Sequence, residues 1–320
     1  MERRTFLQAS SAALGVSVQA LAEGPMPTAT LGKSGLEVSR FCLGGFHMAK
    51  SGEANAVKII HRAIDLGVTF LDSAHKYHEG LSDQFYGAAL TGGLRKKVLL
   101  MSKAQQRTAK EATQQLDETL RRMKTDYLDL WQCHEVSRHA EVDRIFAPGG
   151  SLEAFVKAKR DGKVRHIGFT GHHDFTVHQR LLDGFDGWET VQHPVNLIDP
   201  HYLSFIGNFL PNAEKKGLGR IGMKSNAIGQ ITLQNVAKIQ DCLRFAWSQN
   251  IHTLVSGVET VAQLEENVAV LKALKKLTPA EQNELLTTTK KGLHGPKVET
   301  YKKPQQGARG FRPHEDGELA

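Results

Sequence analysis

TFLDSAHKY, residues 69–77, is an apolar run that ends in an aspartate and passes into a polar loop. The stretches VLLMSK at residues 98–103 and YLDLWQCH at residues 127–134 have the same form. Short apolar runs bounded by polar residues are typical of buried β-strands. We therefore predict three strands, each with a chemically reactive side chain at or just beyond its carboxyl end.

The same pattern continues along the chain. Most predicted strands are followed by a helical pattern such as Ala54–Leu66, where apolar residues recur with a period near 3.6. Strands that alternate with helices form parallel sheets, and eight such units are typical of a closed (β/α)8 TIM barrel. An open, doubly wound sheet is the alternative. The predicted strands are Phe41–Leu43, Thr69–Leu71, Val98–Met101, Tyr127–Trp131, Arg165–Phe169, Thr190–Gln192, Ile221–Met223 and Thr253–Val255.

Two further segments flank the predicted barrel. Ala29–Leu31 and Glu37–Arg40 enclose a Gly-Lys-Ser-Gly turn, which predicts an N-terminal β-hairpin. Thr278 followed by Pro279 predicts the cap and first turn of a last helix. We place the barrel domain at residues 23–290 and a polar, loosely packed C-terminal extension at residues 291–320. The other predicted helices are Ala109–Met123, Leu152–Arg160, Asp174–Leu182, Phe205–Lys216, Thr232–Gln249 and Val261–Leu274.

The composition narrows the class of protein. Of 320 residues, 40% are hydrophobic and 23% are charged, as in ordinary soluble globular domains. No stretch approaches the roughly 20 apolar residues of a mature membrane anchor. The net charge of +7 is spread along the chain, which argues against nucleic acid as a partner. The three cysteines form neither a disulfide framework nor a metal motif, and we expect Cys42 and Cys133 to be buried strand residues.

The first residues have the form of an export signal. Arg3 and Arg4 precede Phe6-Leu7, and a weakly apolar stretch, Ala9–Ala22, ends in Ala20-Leu21-Ala22. A positive start, an apolar middle and a small-x-small end are typical of a signal peptide, and the arginine pair resembles the bacterial twin-arginine type. We expect residues 1–22 to engage the twin-arginine export machinery, which makes the mature protein periplasmic or exported. The alternative is an N-terminal helix that is retained on a cytoplasmic protein.

The string GLGRIG at residues 217–222 matches a dinucleotide-binding pattern only superficially. That pattern requires a strand before it and a helix after it. Here a predicted helix precedes it and a predicted strand follows. We interpret the glycines as a helix end and a turn, so the string does not predict a Rossmann fold.

Four side chains at the predicted strand ends form a chemically coherent set. Barrel enzymes place catalytic groups at the carboxyl ends of strands and in the loops that follow. Asp72, Tyr77, Lys103 and His134 all occupy such positions. A lysine ammonium lowers the pKa of a nearby phenol, an aspartate offsets the lysine charge, and a histidine can orient a carbonyl oxygen. The set is suited to proton delivery to an oxygen while hydride arrives at carbon.

The same residues give the chain a resemblance to the aldo-keto reductase superfamily. The matching segments lie at residues 70–77, 102–103, 126–134, 162–169 and 257–267, and the resemblance spans roughly residues 28–275. It implies a (β/α)8 barrel that uses NAD(P)H and reduces an aldehyde or ketone to an alcohol, or the reverse. It also implies Tyr77 as proton donor, Lys103 and Asp72 as its tuning pair, and His134 as the carbonyl-orienting group.

The resemblance implies cofactor contacts as well. Thr170 stands where the family usually has serine, and Gly171 stands where it usually has asparagine. Gly257 and Gln263 replace basic residues that often bind a 2′-phosphate. We expect NADP(H) as the cofactor, with NAD(H) as the alternative. The expected cofactor-binding residues are Gly45, Thr170, Gly171, Gln192, Met223, Lys224, Ser225, Gly257, Gln263, Glu266 and Asn267.

Two other functions remain open, and the substrate is only partly defined. A metal-dependent barrel hydrolase would draw ligands from the histidines, although we assign no residue a metal role. A non-catalytic, nucleotide-binding redox sensor could use the same barrel. Polar side chains at the barrel mouth favour a hydroxylated, sugar-like carbonyl substrate. The expected mouth residues are His75, His78, Trp131, His172 and His193.

Overall fold

Eight parallel strands close into a barrel in the computed structural model, which describes residues 24–292 and 294–302. Closure occurs where the last strand pairs with the first, with Leu254 opposite Phe41 and Gly257 opposite Gly44. This confirms the barrel over the open sheet. The predicted signal peptide and residues 303–320 lie outside the described residues. The barrel strands are β3 (Phe41–Gly44), β4 (Phe70–Asp72), β5 (Leu99–Ala104), β6 (Leu128–Cys133), β7 (Val164–Thr170), β8 (Thr190–Pro194), β9 (Gly219–Met223) and β10 (Thr253–Gly257).

Alternation along the strands separates the barrel interior from the helix-facing surface. Successive side chains of a strand point to opposite faces. Phe70, Met101 and Leu130 belong to one apolar cluster inside the barrel, whereas their strand neighbours Leu71, Leu100 and Trp131 pack in the cluster under the helices. Asp72 and Lys103 stand two residues after Phe70 and Met101, so they face the interior at its carboxyl end.

The N-terminal hairpin forms as predicted. Strands β1 (Thr28–Thr30) and β2 (Glu37–Ser39) pair antiparallel, with Ala29 opposite Val38. Leu31 and Val38 are buried in the same cluster as the barrel interior. The hairpin therefore covers the end of the barrel opposite to the carboxyl ends of its strands.

The helices surround the barrel, and the helix at Ala109–Met123, α4, shows why. Thr108 caps it by accepting a hydrogen bond from the Glu111 amide, and the buried residues Ala112, Leu116 and Met123 form one apolar stripe. Among the described residues, no helix has the length and apolar character needed to cross a membrane. The helices are α1 (Gly45–Ala49), α2 (Glu53–Asp65), α3 (Leu81–Ala89), α4 (Ala109–Met123), α5 (His139–Phe146), α6 (Ser151–Arg160), α7 (Phe175–Gly184), α8 (Phe205–Asn208), α9 (Leu210–Lys215), α10 (Gln230–Leu233), α11 (Ile239–Ser248), α12 (Val261–Lys272) and α13 (Pro279–Lys290).

Two predicted helices are broken. The helix predicted at Phe205–Lys216 splits into α8 and α9, because Pro211 has no amide hydrogen to donate to the Gly207 carbonyl. The helix predicted at Thr232–Gln249 splits into α10 and α11, and Asn235 between them has a left-handed φ of 53°. Residues 217–222 form a turn and β9 after α9, which confirms that the string is not a dinucleotide-binding motif.

The end of the described chain differs from the prediction. Thr278 and Glu281 cap α13 reciprocally, as expected. However, residues 295–302 are not a loosely packed tail. Lys302 is fully buried, with its Nζ 2.6 Å from Asp199 Oδ1 and 2.9 Å from Glu299 Oε2. A buried ammonium requires such partners, and the pair with Asp199 fixes this segment to the loop after β8.

Replacing Lys302 by methionine should destabilise the fold strongly. Asp199 and Glu299, both fully buried, would lose their counter-charge, which typically costs about 3–5 kcal/mol of unfolding free energy. Urea denaturation followed by circular dichroism measures this loss. Lys297→Met, at an exposed position of the same segment, is the matched control. Equal stability of the two variants would contradict the inferred role of the ion pairs.

Candidate active site

Lys103 lies at the centre of the four predicted catalytic residues. Its Nζ contacts Asp72 Oδ1, donates a 2.7 Å hydrogen bond to the Ser73 carbonyl and lies 3.4 Å from Tyr77 Oη. Strand pairing produces this arrangement, because β4 and β5 are neighbours and both side chains face the barrel interior. Lys103 and Asp72 are almost completely buried, and Tyr77 reaches them from the loop after β4.

His134 completes the set from the neighbouring strand. It follows the last residue of β6, and its backbone amide donates to the Ala104 carbonyl at 2.8 Å. Arg107 holds the His134 carbonyl at 2.8 Å. The imidazole packs edge-on against Tyr77, with ring centroids 5.7 Å apart. Its Nδ1 is buried and has no hydrogen-bond partner in the structure, so it is available to a ligand.

Burial sets the protonation states of the group. Burial, together with Asp72 and Glu135, raises the pKa of Tyr77 well above its ordinary value. Burial, reinforced by the Lys103 charge, holds the pKa of His134 well below its ordinary value. Burial also raises the pKa of Asp72, although Lys103 opposes it. The phenol is therefore protonated and the imidazole neutral at neutral pH, so the expected lowering of the tyrosine pKa by lysine is outweighed.

Aromatic rings line one side of Tyr77. The Phe46 ring packs edge-on against Tyr77 at 5.3 Å and lies 4.6 Å from the His78 ring. His78 Nε2 lies 3.0 Å from the Phe46 carbonyl oxygen. Phe46 follows the predicted contact Gly45 but was not itself predicted, and only the fold brings it to the tyrosine.

Three predicted mouth residues point elsewhere, and that expectation was wrong for them. His75 Nε2 lies 2.8 Å from Glu118 of α4. Trp131 faces the helices and packs on Phe155 with ring centroids 3.9 Å apart. His193 is fully buried and stacks on Phe205 at 5.6 Å. The period-2 alternation explains Trp131, since its neighbours Leu130 and Gln132 point to the opposite face.

The predicted nicotinamide contacts converge at neighbouring strand ends. Gln192 lies opposite Thr170 across β7 and β8, and both are buried. Gln192 Nε2 makes only a long contact of 3.6 Å to Met223 Sδ, and its Oε1 has no hydrogen-bond partner. A buried, unpaired amide oxygen is costly unless a ligand amide pairs with it. These residues therefore fit a nicotinamide carboxamide.

Lys224 and Ser225 follow β9 at the same rim. Lys224 has a left-handed backbone, with φ of 57°, and its Nζ lies 5.0 Å from the centroid of the Tyr301 ring. Burial lowers the pKa of Lys224 to about 8, with Lys76 adding to this and Glu135 opposing it. Ser225 is buried.

Two of the predicted contacts are glycines because no side chain fits. A Cβ at Gly45 would collide with Ser82 Oγ and with the Asp72 carbonyl oxygen. A Cβ at Gly171 would lie 2.5 Å from the Val136 carbonyl oxygen and 2.6 Å from the His178 ring. The asparagine usual at the Gly171 position could not be accommodated here, so only backbone is available to a ligand at that point.

The predicted adenosine side of the site has no basic side chain at the two expected positions. The His47 ring fills the space that a side chain at Gly257 would need. Gln263 Oε1 accepts a 2.8 Å hydrogen bond from the Glu259 amide, so this side chain is occupied in capping α12. Asn267 Nδ2 donates to Ser256 Oγ at 3.1 Å, and Glu266 is exposed.

The structure adds three residues to the site, Lys76, Glu135 and Tyr301. Glu135 has a left-handed φ of 52° and accepts a 2.8 Å hydrogen bond from Lys76. Burial opposes ionisation, but the charge and hydrogen bond of Lys76 lower the pKa of Glu135 to about 2. Tyr301 packs edge-on against His172 at 5.3 Å. Lys76 and Glu135 are the sequence neighbours of Tyr77 and His134, which could have revealed them, whereas nothing local marks Tyr301.

Comparisons with known proteins complete the description of the site. The sequence model of the aldo/keto reductase family matches residues 40–232. The uncharacterized oxidoreductase YqkF of Bacillus subtilis is 30% identical over 82% of this chain and 97% of that protein. L-galactose dehydrogenase of Arabidopsis thaliana is 26% identical over 77% of this chain and 88% of that protein. An aldo-keto reductase from Klebsiella pneumoniae in complex with NADPH superposes with a TM-score of 0.66 at 20% identity, over 88% of this chain and 98% of that chain.

Proposed function

This chain belongs to the aldo/keto reductase family and is an NAD(P)H-dependent oxidoreductase, and we propose that it interconverts a hydroxylated, sugar-like carbonyl and its alcohol through Tyr77. The observation behind the assignment of Tyr77 is the buried group in which Lys103 Nζ bridges Asp72 and Tyr77 Oη. His134 lies beside it in neutral form. Family membership leaves no support for the metal-dependent hydrolase.

The four residues divide the work of proton transfer. A bound reduced nicotinamide would supply hydride to the carbonyl carbon. Tyr77, protonated at neutral pH, donates its proton to the carbonyl oxygen as negative charge develops there. Lys103 then stabilises the phenolate, and Asp72 holds Lys103 in place. Neutral His134 keeps one N–H for a hydrogen bond to the same oxygen.

The mouth of the barrel supports a hydroxylated substrate. Lys76 and Glu135 are the chain neighbours of Tyr77 and His134, and both Lys76 and His172 contact Glu135. Together the three offer both donors and acceptors to substrate hydroxyls. The Phe46 ring next to Tyr77 offers an apolar face for the C–H side of a sugar ring. One of the relatives, L-galactose dehydrogenase, is named for a sugar substrate.

Tyr77→Phe should remove the proton donor and keep the ring that packs between Phe46 and His134. We expect carbonyl reduction to fall at least about 100-fold, with nucleotide binding almost unchanged. The assay follows reduced-cofactor absorbance over a panel of aldehydes, ketones and sugars with NADPH and NADH.

Tyr127→Phe, which alters a tyrosine at the opposite end of β6, serves as the matched control and should keep wild-type activity. Full activity of Tyr77→Phe would rule out Tyr77 as the donor. A wild type that binds nucleotide but reduces no compound in the panel would favour the redox-sensing subunit instead.

NADP(H) is the proposed cofactor, with a modest preference over NAD(H). Family membership supports NADP(H), whereas Gly257 and Gln263 provide no charge for a 2′-phosphate and Glu259 lies beside them, so the expected preference is small. Fluorescence titration should show NADPH binding more tightly than NADH, and Gln263→Arg should widen that ratio about tenfold by adding a charged hydrogen bond. Gln263→Ala, which frees the Glu259 amide without adding charge, should not widen it. Equal or tighter binding of NADH by the wild type would make NAD(H) the cofactor.

Export by the twin-arginine route is the proposed localisation, supported by the Arg3-Arg4 pair and the Ala20-Leu21-Ala22 end. The Arg3→Lys, Arg4→Lys double variant should remain in the cytoplasm of a bacterial host with its N-terminus uncleaved. Fractionation and mass spectrometry of the N-terminus report both properties. Glu2→Gln leaves the arginine pair intact and should be exported normally. A wild type that keeps Met1 and stays in the cytoplasm would contradict export.

A further inference from the structure

Glu135, His172 and His173 form a cluster of potential metal ligands at the barrel mouth. One ligand atom from each lies within 4.8 Å of the other two. His172 Nε2 is 3.4 Å from Glu135 Oε1, and the two imidazoles stack with ring centroids 4.6 Å apart. Within the described residues, 24–292 and 294–302, it is the one group of three His, Cys, Asp or Glu side chains close enough to share an ion.

The backbone holds this cluster in place. The Val136 amide donates to the Thr170 carbonyl at 2.8 Å, which joins the loop after β6 to the loop after β7. The Gly171 amide donates to the Gln192 carbonyl at 3.3 Å, and the absence of a side chain at Gly171 allows the loops to approach. Glu135 and His172 therefore face each other from loops that are fixed on both sides.

We propose that Glu135, His172 and His173 bind one divalent cation of the zinc class at the barrel mouth. Two imidazoles and a carboxylate are a ligand set that zinc accepts, and three protein ligands leave a fourth tetrahedral position for water or a substrate hydroxyl. Imidazole ligands favour zinc over magnesium and calcium, which take oxygen ligands. The site does not include the four proton-transfer residues. It uses Glu135 and His172, which the proposed function assigns to substrate hydroxyls, but metal binding is measured without substrate and so does not depend on the proposed reaction.

The cluster must rearrange to bind an ion. Tetrahedral zinc with ligand bonds of about 2.1 Å places neighbouring ligand atoms about 3.4 Å apart. Glu135 Oε1 and His172 Nε2 already have that separation, whereas the three ligand atoms together span up to 4.8 Å and the stacked imidazoles must turn before both can face one ion.

Lys76 limits the affinity of the site. It donates a 2.8 Å hydrogen bond to Glu135 Oε2, which orients the carboxylate as outer partners of metal ligands do. Its charge also opposes a cation, as does that of Lys224. Glu135 Oε1 remains directed at His172, so one carboxylate oxygen is available. We therefore expect binding that is specific but weaker than that of a structural zinc site.

Metal titration of the tag-free, full-length chain tests the proposal directly. Isothermal titration with Zn²⁺ should show one site per chain, and Co²⁺ should give the visible d–d bands of a four-coordinate ion with nitrogen ligands. All three cysteines are buried and should not compete. His172→Gln and His173→Gln should each weaken zinc binding at least about tenfold. Glu135→Gln should weaken it likewise, because a neutral amide replaces the carboxylate ligand.

His139→Gln is the matched control, since it removes a histidine outside the cluster, and it should bind zinc as the wild type does. Far-UV circular dichroism checks that each variant is folded. The cobalt spectrum is recorded on the wild type, so it does not depend on the folding of any variant. Absence of the single zinc site, absence of the cobalt bands, or unchanged binding in the His172→Gln, His173→Gln double variant would overturn the proposal. Unchanged binding by Glu135→Gln would remove Glu135 from the ligand set and overturn the three-ligand site.

Discussion

The ammonium group of Lys103 has three hydrogens to donate, and the barrel interior gives each of them a partner. Asp72 accepts one, the Ser73 carbonyl a second and Tyr77 the third. Burying a lysine is costly unless it is paired, so these contacts constrain each other. The same ion pair joins β4 to β5 and fixes the phenol beside His134, so the stability of this rim and its chemistry depend on one set of contacts.

Alternation along the strands makes such a site compatible with a stable core. Phe70, Met101 and Leu130 fill the interior of the barrel, and the polar groups follow on the same face once the strands reach the carboxyl end. The apolar side chains therefore lie next to the ion pair inside the barrel. The loops beyond the strands supply His78, Glu135 and His172. A one-residue shift in register would turn the interior side chains toward the helices and the helix-facing side chains toward the interior.

The C-terminal segment shows how distant parts of the chain complete the mouth. Lys302, Asp199 and Glu299 form a fully buried charge cluster, and Tyr301 next to them reaches His172 and Lys224. Three strand-end loops and residues 295–302 thus meet around one opening. Because buried charges tolerate little displacement, this cluster gives Tyr301 a fixed position relative to the site.

The sequence by itself determined the eight strands, the barrel and the positions of the four proton-transfer residues at one rim, because apolar runs and strand ends are local features. It missed α3, whose buried Ser82 and Asp83 hydrogen-bond to Ser73 and hide its apolar periodicity. Only the tertiary structure decided that Trp131 and His193 lie outside the barrel mouth, that Tyr301 lies at it and that burial raises the pKa of Tyr77. These outcomes depend on contacts and desolvation between segments far apart in the chain, which no local pattern records.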